Sequence, residues 1–278
     1  MQNGKRRMTR KSNLGQPSPS VPQTLTQIKR LQTDQRYRNA TGLFFVEGVR
    51  NFVQAVDNHF EITLIIYSER LLIAPLARKF VRRLRRGSIP TVKVSPEEFR
   101  TISHTPRASG VGAIVKQKWA NLDTVLPQAN LCWIVLDQVR SDGNLGTLVR
   151  TSEAIGGAGF VLLNNGVDPY DPTVIRASMG AVFRQQFIRT DHRKLKRWLK
   201  HTSYSVIGAS PDGNHNFQQF AYPHSVFLML GEERQGLTDE QREMCDYLVH
   251  IPMVGGADSL NLGVAGSLLM YEVYRSRG

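Results

Sequence analysis

Three loop-like segments near the end of the printed sequence decide the fold: Gly231–Leu237 (GEERQGL), Ile251–Met253 (IPM) and Ser259–Ala265 (SLNLGVA). Short apolar runs typical of strands lead into the first two, and all three carry the Gly or Pro residues that mark loops. In α/β domains, ligands bind in the crevice outside the carboxyl ends of the strands. We therefore expect the three segments to form the walls of one pocket.

From residue 131 onward the sequence alternates between short apolar runs and amphipathic stretches. The runs predict strands at Leu131–Leu136, Gly159–Leu163, Gln186–Ile188, Ser205–Gly208, Val226–Leu230 and Leu248–Ile251. The amphipathic stretches predict helices at Leu145–Ile155, Thr173–Gly180, His192–His201, Asp239–Asp246 and Asn261–Arg275. Such alternation indicates an α/β domain with a mostly parallel sheet and helices on both faces.

The sequence upstream divides into three further parts. Residues 22–118 predict a smaller α/β domain, and residues 119–130 are polar, lack a strong pattern and are interpreted as a linker to a second domain at 131–278. Residues 1–21 contain basic, Gly, Pro and Ser residues and no acid, which predicts a disordered basic tail. The smaller domain is predicted to contain the strands Gly42–Gly48, Ile62–Tyr67, Thr91–Val94 and Gly112–Lys116 and the helices Thr24–Leu31, Val49–His59 and Leu71–Arg86.

The overall charge points to a polyanionic partner, since the formal net charge is +13 and the isoelectric point is near 10.1. Cys132 and Cys245 lack disulfide or metal-ligand spacing, so we expect no metal site and a reducing compartment, the cytoplasm. No apolar run approaches the ~18 residues of a membrane helix, and no secretory signal is apparent. The Arg-rich start leaves an organelle transit peptide as the alternative.

The predicted helix Leu71–Arg86 is strongly basic and contains no acidic residue. A solvated helix usually carries acids that pair with its bases, so contact with RNA is weighed here against an ordinary solvated face. The candidate RNA-binding residues are Arg78, Lys79, Arg82, Arg83 and Arg86.

The loop before the helix Leu145–Ile155 contains Asn144, which suits the helix N-cap, and Gly146 at the start of that helix permits a close backbone approach. Spacing alone favours a surface ion pair between Arg150 and Glu153. The run at residues 156–159 (GGAG) follows a helix and precedes a strand, so it predicts a helix stop rather than a dinucleotide site. Ser259 has no triad partners in a nucleophile-elbow pattern, which argues against a serine hydrolase.

The second domain carries three ordered motifs: Asn144-x-Gly146-x-x-x-Arg150, Gly231-x-Glu233-x-x-Gly236-Leu237, and Ile251-Pro252-Met253 followed by Ser259-Leu260-Asn261. Together they resemble the motifs of the SpoU (TrmH) family of RNA ribose 2′-O-methyltransferases, in the SPOUT superfamily. The region around Phe44–Arg50 (FFVEGVR) is similar to the ribosomal-protein-like substrate-binding domain of the longer members. The chain departs from the family at Leu262 and Gly263, where valine and serine are common, which puts one pocket hydrogen bond in question.

The resemblance implies a C-terminal trefoil knot, a homodimer with the pocket near the subunit interface, and S-adenosylmethionine as methyl donor. It implies cofactor contacts from Leu230, Gly231, Gly236, Ile251, Met253 and Leu260. It implies catalytic positions at Arg150, Asn144, Glu233, Ser259 and Asn261. Ile251 and Leu260 are apolar enough to sandwich an adenine, although both also suit a simple core role.

The resemblance also shapes the predicted reaction. A guanidinium is effectively never deprotonated, so Arg150 is expected to stabilise the developing alkoxide and grip phosphate rather than act as a base. Glu233 is expected to orient other groups, and no general base is evident, which leaves solvent or a substrate phosphate as proton acceptor. The separate first domain favours ribosomal RNA over transfer RNA as substrate. A non-catalytic RNA-binding paralogue or assembly factor, and a ribosomal-type binding protein, are the rival interpretations.

Overall fold

The structure, a computed structural model, describes residues 19–125, 132–164 and 166–278. Its first part contains a four-stranded sheet with the order β1-β4-β2-β3, in which only the β2–β3 pairing is parallel. The strands are β1 (Leu43–Glu47), β2 (Ile62–Tyr67), β3 (Thr91–Lys93) and β4 (Val111–Lys116). The helices are α1 (Val21–Thr33), α2 (Gln35–Thr41), α3 (Val49–Asp57), α4 (Pro75–Arg86) and α5 (Pro96–Arg100).

The second part contains a seven-stranded sheet with the order β7-β6-β5-β10-β8-β11-β9, and the pairings between its strands are parallel. Its strands are β5 (Trp133–Leu136), β6 (Gly159–Leu163), β7 (Gln186–Thr190), β8 (Ser205–Ala209), β9 (His215–Asn216), β10 (Val226–Leu230) and β11 (Tyr247–His250). Its helices are α6 (Asp142–Ala154), α7 (Pro172–Ala177), α8 (His192–Leu199), α9 (Asp239–Arg242) and α10 (Leu262–Arg275). Short 3₁₀ helices cover Leu122–Thr124 and Ala181–Phe183.

The central strands of the large sheet are buried on both faces. In β5, Trp133 and Val135 join one hydrophobic cluster with Leu195 of α8, whereas Ile134 and Leu136 join another. Successive side chains point to opposite faces of a strand, so a continuous apolar run is buried throughout only when helices cover both sides. The predicted α/β class with a mostly parallel sheet is therefore confirmed, while the trefoil knot stays a prediction.

The two sheets share one continuous core. The ring centroids of Phe44 in β1 and Tyr170 before α7 lie 4.5 Å apart, and those of Phe60 and Phe183 lie 5.3 Å apart. The Tyr170 hydroxyl also donates to the backbone oxygen of Lys118 at 2.6 Å. Aromatic pairs at such distances add about 0.5–1.5 kcal/mol beyond the area that they bury. The first part is thus attached to the large sheet by a packed aromatic contact.

A buried arginine adds a polar connection between the two parts. Arg38 is 2% exposed, and its Nε donates to Asp168 at 2.8 Å while one terminal nitrogen donates to Asp171 at 2.9 Å. The other terminal nitrogen donates to the backbone oxygen of Leu31 at 2.8 Å. A buried guanidinium needs partners of this kind, because an unpaired buried charge costs several kcal/mol.

Several predicted boundaries were wrong. Helix α4 begins at Pro75 rather than Leu71, because proline suits the first helical turn. Helix α1 begins at Val21, capped by Ser20, so the predicted tail overlaps it. Helices α7 and α9 are shorter than predicted, and the short elements α2, α5 and β9 were missed.

Parts of the predicted tail and linker lie outside the described residues, namely 1–18 and 126–130. The described part of the linker, 119–125, packs against the large sheet, and Ala120 forms a parallel bridge to Ile188 of β7. Its Trp119 indole lies beneath the Arg189 guanidinium, whose carbon is 4.0 Å from the ring centroid.

Candidate functional site

The carboxyl ends of β8, β10 and β11 open into one cavity of about 390 Å³. This volume lies within the range of small-molecule sites, about 300–1,000 Å³. Its walls combine apolar side chains with backbone and a few polar groups. They include Ala209–Asp212, Leu230–Gly236, Arg242, Val249, Ile251, Met253, Asp258–Leu260, Leu262 and Ala265.

The loop after β10 folds back on itself beside the cavity. The Glu232 N–H donates to the Gly236 oxygen at 3.0 Å, and the Gly236 N–H donates to the Glu232 oxygen at 2.9 Å. Gly236 has φ +67°, and a Cβ added at Gly231 would lie 2.1 Å from the Gly236 carbonyl carbon. Only glycine fits such contacts, which leave backbone groups at the cavity wall.

Glu233 joins this loop to the segment after β5. One of its carboxylate oxygens accepts from the Arg140 N–H at 3.0 Å, and the other accepts from the Ser141 N–H at 3.4 Å and the Asn144 amide at 3.1 Å. The adjacent Glu232 forms an ion pair with the Arg140 guanidinium. Charge-assisted hydrogen bonds are about twice as strong as neutral ones, so the two loops are held firmly together.

The same chain of contacts reaches α10. The Asn261 amide donates to the Asn144 side-chain oxygen at 2.9 Å. The Asn261 oxygen in turn accepts from the backbone N–H groups of Gly263 at 2.9 Å and Val264 at 3.3 Å, which makes Asn261 the N-cap of α10. Glu233, Asn144 and Asn261 therefore link three motifs that lie far apart in the sequence.

The hydrogen bonds to Glu233 affect its ionisation. Partial burial opposes its charge, but donation from the Arg140 N–H, the Asn144 amide and the Ser141 N–H outweighs burial and lowers the pKa of Glu233 below 4.5. The carboxylate is therefore charged at neutral pH and acts as an acceptor for three donors.

The structure brings all six predicted cofactor residues to the cavity: Leu230, Gly231, Gly236, Ile251, Met253 and Leu260. Of the predicted catalytic residues, Glu233 and Ser259 line the cavity, and Asn144 and Asn261 lie directly behind Glu233. Arg150 is exposed on α6 and does not line this cavity. The roles of these residues stay predictions.

Two interpretations of the segment around α6 were wrong. Helix α6 begins at Asp142 with Ser141 as N-cap, so Asn144 lies in the first turn, where its amide serves Glu233 instead. Glu153 pairs with Arg184 at 2.8 Å rather than with Arg150, which has no ion-pair partner in the described part of the chain. An arginine left unpaired on a surface is available to a ligand.

Two glycines gave different outcomes. Gly146 permits close approach as predicted, because a Cβ added there would lie 2.4 Å from the Ala177 Cβ in α7. Gly263 does not line the cavity; a Cβ there would lie 3.2 Å from the Asn261 side-chain oxygen and 3.4 Å from Thr147. The missing serine hydroxyl at residue 263 would therefore face α6 rather than the pocket.

The sequence analysis missed one wall of the cavity, the loop Ser210–Gly213 after β8. The Arg242 guanidinium donates to the Ser210 hydroxyl at 2.9 Å and lies 3.4 Å from the Asp212 carboxylate. The signal was present, since Ser-Pro-Asp-Gly is a turn sequence that directly follows an apolar strand.

The predicted basic surface lies on α4, whose buried face consists of Ala77, Phe80 and Val81. The five candidate RNA-binding residues, Arg78, Lys79, Arg82, Arg83 and Arg86, are exposed and form no ion pair with described residues. Within the described ranges, no helix is long and apolar enough to span a bilayer, and no group of three His, Cys, Asp or Glu side chains could hold a metal ion.

Comparison with known proteins explains this geometry. The family model of the SpoU rRNA methylases matches residues 132–271, about half of the chain and nearly all of the second part. The chain belongs to the SpoU rRNA methylase family. A second model, the MRM3-like substrate binding domain, matches residues 23–113.

The similarity to individual relatives extends over most of the chain. A 23S rRNA (uridine(2479)-2′-O)-methyltransferase from Streptomyces viridochromogenes is 27% identical over 258 residues, which is 90% of this chain and 89% of that protein. The AdoMet-bound rRNA methyltransferase of Sinorhizobium meliloti has a TM-score of 0.84 and is 26% identical. The match covers 93% of this chain and 97% of the Sinorhizobium meliloti chain. The SpoU methyltransferase AviRb from Streptomyces viridochromogenes, in complex with AdoMet, has a TM-score of 0.82 and is 26% identical. The match covers 91% of this chain and 97% of the AviRb chain.

Proposed function

We propose that this protein methylates a ribose 2′-hydroxyl of RNA with S-adenosylmethionine, and that the substrate is the RNA of the large ribosomal subunit. The observation that carries the proposal is one cavity lined by the second and third family motifs, to which the first motif is joined by hydrogen bonds among Glu233, Asn144 and Asn261. A non-catalytic paralogue would not need this arrangement.

The residues of the cavity fit S-adenosylmethionine. Ile251, Leu260 and Leu230 offer apolar surface for an adenine, and the Gly231–Gly236 turn offers backbone groups at the wall. Asp212 and Ser210 add oxygen acceptors of the kind that bind ribose hydroxyls or an ammonium group. When bound, the cofactor supplies an electrophilic methyl group that needs little activation. The task left to the protein is to hold and align the RNA hydroxyl.

We assign the stabilisation of the developing alkoxide to Arg150. Its guanidinium has no ion-pair partner among the described residues, so its N–H donors are free for an anionic oxygen or a phosphate. Glu233 positions the loops rather than taking a proton, because its carboxylate is already occupied by three N–H donors. Solvent or a substrate phosphate then accepts the proton of the hydroxyl.

Arg150 does not line the cofactor cavity of its own chain, and we place it at the cavity of a second copy of the chain. We propose a homodimer formed through α10, which exposes an apolar stripe of Val264, Leu268, Tyr271 and Tyr274 at 41–54%. Apolar surface of this kind marks an interaction site. The trefoil knot and the cytoplasmic location belong to the same proposal.

RNA contact is proposed for α4, where Arg78, Lys79, Arg82, Arg83 and Arg86 are exposed and form no ion pair with described residues. Phosphate contacts supply affinity and position, whereas shape and unpaired bases supply selection. Ribosomal RNA is the proposed substrate because the first part of the chain matches a substrate-binding domain and the relative that covers 90% of this chain is named as a 23S rRNA enzyme.

The proposal is tested by mapping 2′-O-methyl groups in total RNA from cells with and without this protein. We expect one site in large-subunit rRNA to disappear with the protein and to be restored in vitro by purified protein and S-adenosylmethionine. Loss of a tRNA site instead would mean that the substrate is tRNA rather than rRNA, while the proposed reaction would stand. No lost site, together with no heat of binding to S-adenosylmethionine in calorimetry, would favour the non-catalytic paralogue.

A further inference from the structure

A second cavity, the interdomain cleft, lies between the two parts of the chain and shares no lining residue with the cofactor cavity. Its volume is about 510 Å³. One wall comes from the first part, at residues 45–51 and 104–109, and the other from the starts of α6 and α7. An RNA that contacts both parts must pass this cleft. The side chains that line the cleft therefore affect which RNA the protein selects.

Three arginines from different elements line the cleft: Arg50 of α3, Arg107 of the loop before β4, and Arg176 of α7. All three are exposed, and none has an ion-pair partner in the described ranges. Arginine forks recognise phosphates and the acceptor edges of bases, and guanidinium planes stack on bases. Three guanidinium groups without ion-pair partners thus surround one cavity and provide hydrogen-bond donors for a ligand that has many acceptors.

The carboxylates beside the cleft are mostly engaged elsewhere. Asp171 accepts from Arg38 at 2.9 Å and from the Thr173 N–H at 2.8 Å, and Glu47 accepts from the His104 N–H at 2.9 Å. Asp142 forms no ion pair within the described residues and remains an acceptor at the α6 wall. The cleft therefore offers donors and acceptors together, which suits a base and its phosphate better than phosphate alone.

The remaining lining adds an apolar floor and an unused hydroxyl. Phe45, Ile175 and Met179 contribute apolar surface. The Ser109 Oγ is buried and has no hydrogen-bond partner. A buried polar atom without a partner costs about 1–3 kcal/mol, and a ligand that bonds to it recovers that cost.

The position of the cleft ties it to the reaction. Asp142 directly follows Ser141, whose N–H is held by Glu233, and precedes Asn144 by two residues. The α6 wall of the cleft is thus continuous with the loop that borders the cofactor cavity.

We propose that the interdomain cleft binds one unpaired RNA nucleotide that flanks the methylated ribose, and that this site determines sequence specificity. The inference rests on the proposed function and names the part of the RNA that this surface selects. The base lies on the apolar floor and contacts Asp142 and Ser109, while the arginines bind its phosphate and its acceptor edge. Sequence-specific RNA proteins read unstacked bases in this manner.

The test removes Arg107 and Arg176, one from each wall, singly and together, as Arg→Ala variants. The probe is a large-subunit rRNA fragment that carries the mapped methylation site, with each unpaired flanking nucleotide changed in turn. We expect the KM for RNA to rise about tenfold for each arginine, as for loss of a good base or phosphate contact. We expect kcat to stay within about twofold, and the preference for one flanking nucleotide to disappear in the double variant.

The matched control is the double variant Arg193→Ala, Lys200→Ala, which removes the same charge from exposed positions on and after α8 that form no ion pair. An equal rise in KM for this control would reduce the effect to bulk charge and overturn the proposal. Wild-type selectivity in the Arg107, Arg176 double variant would also overturn it. S-adenosylmethionine affinity, measured by calorimetry, must be unchanged in every variant.

A second measurement separates this inference from the proposed function. Large-subunit rRNA transcribed with 4-thiouridine is crosslinked to the wild-type protein, and the crosslinked peptides are identified by mass spectrometry. Crosslinks in segments 45–51, 104–109 or 171–179 support the cleft even if no methyl group is transferred. Absence of crosslinks in these segments overturns it, even if the enzyme methylates the RNA.

Discussion

The cofactor cavity and the α4 surface treat their charged side chains in opposite ways. Around the cavity, Glu233 accepts from three N–H donors, Glu232 pairs with Arg140, and Arg242 lies beside Asp212. On α4, the exposed cations Arg78, Lys79, Arg82, Arg83 and Arg86 form no ion pair with described residues, and the nearby Glu69 pairs with Lys93 instead. Charges in the first region are used to fix loops, whereas those in the second are left for a ligand.

The same difference separates Arg150 from the charged residues of the cavity. Arg150 resembles the α4 cations rather than the cavity residues, since it is exposed and has no ion pair in the described structure. It differs from them in its position, on a helix whose first turn carries Asn144. Arg150 is thus an unpaired charge on the helix that also carries part of the loop network, which agrees with the role proposed for it.

The largest effect is expected at Arg150. Arg150→Ala should lower kcat by about 10²–10³, the usual loss when one donor to a developing oxyanion is removed. The affinity for S-adenosylmethionine should stay unchanged, because Arg150 is assigned to the RNA oxygen and the cofactor contacts are assigned to other residues of the cavity. Single-turnover methylation and calorimetry measure the two quantities.

Glu233→Ala comes second. It leaves the Asn144 amide and two backbone N–H groups without their acceptor, a loss of roughly 2 kcal/mol or about 30-fold in cofactor affinity. Glu233→Gln keeps one acceptor oxygen and should lose less. If Glu233→Ala binds cofactor as tightly as the wild type, the loop network has no role in forming the cavity.

Removal of charge from α4 should act on RNA alone. The triple variant Lys79→Ala, Arg82→Ala, Arg86→Ala is expected to weaken RNA binding about tenfold near physiological salt and to reduce the slope of log K against log salt by about 2. Lys29→Ala, Arg193→Ala, Lys200→Ala removes equal charge elsewhere and serves as control. A slope change as large in the control would remove any special role for α4.

Acid should weaken cofactor binding through Glu233. Its pKa is lowered in the folded protein, so its stabilising contribution is present above pH 4.5 and is lost as the pH falls through the lowered value. We expect affinity for S-adenosylmethionine to be constant between neutral pH and 4.5 and to fall as the pH drops below the lowered pKa of Glu233. In Glu233→Gln that part of the pH dependence should be absent, as calorimetry across the range would show.

The smallest effect is expected for Gly263→Ser, which restores the residue common in the family. The site faces Thr147 rather than the cavity, and its Cβ would meet only moderately tight contacts. Serine is a better helix former than glycine by about 0.5 kcal/mol, which offsets those contacts. Thermal unfolding and cofactor affinity should both stay near wild-type values; a large gain in affinity would place the hydroxyl in the pocket after all.

The sequence predicted the regular elements well where hydrophobic period and length agreed. The buried strands of the large sheet and the basic helix α4 are local patterns, and both were identified with small errors at their ends. Three motifs also predicted which loops meet at the cavity. Hydrophobic period and loop position are properties that a linear pattern carries.

Partner choice could not be predicted in the same way. Glu153 had Arg150 at a suitable helical spacing, yet it pairs with Arg184, which is distant in sequence. Asn144 suited an N-cap, yet its amide is drawn to Glu233 in another loop. Such choices depend on which groups the tertiary fold brings close, and neither propensity nor spacing contains that information.

The aromatic contact of Phe44 and Phe60 with Tyr170 and Phe183 also limits protein engineering. Exchange of residues 19–118 for the corresponding part of a relative would graft a foreign apolar face onto α7 and its neighbours. A chimera designed to act on a different RNA must therefore exchange both sides of this aromatic contact together. A crossover point chosen at residue 119 alone would yield a chain whose halves do not fit.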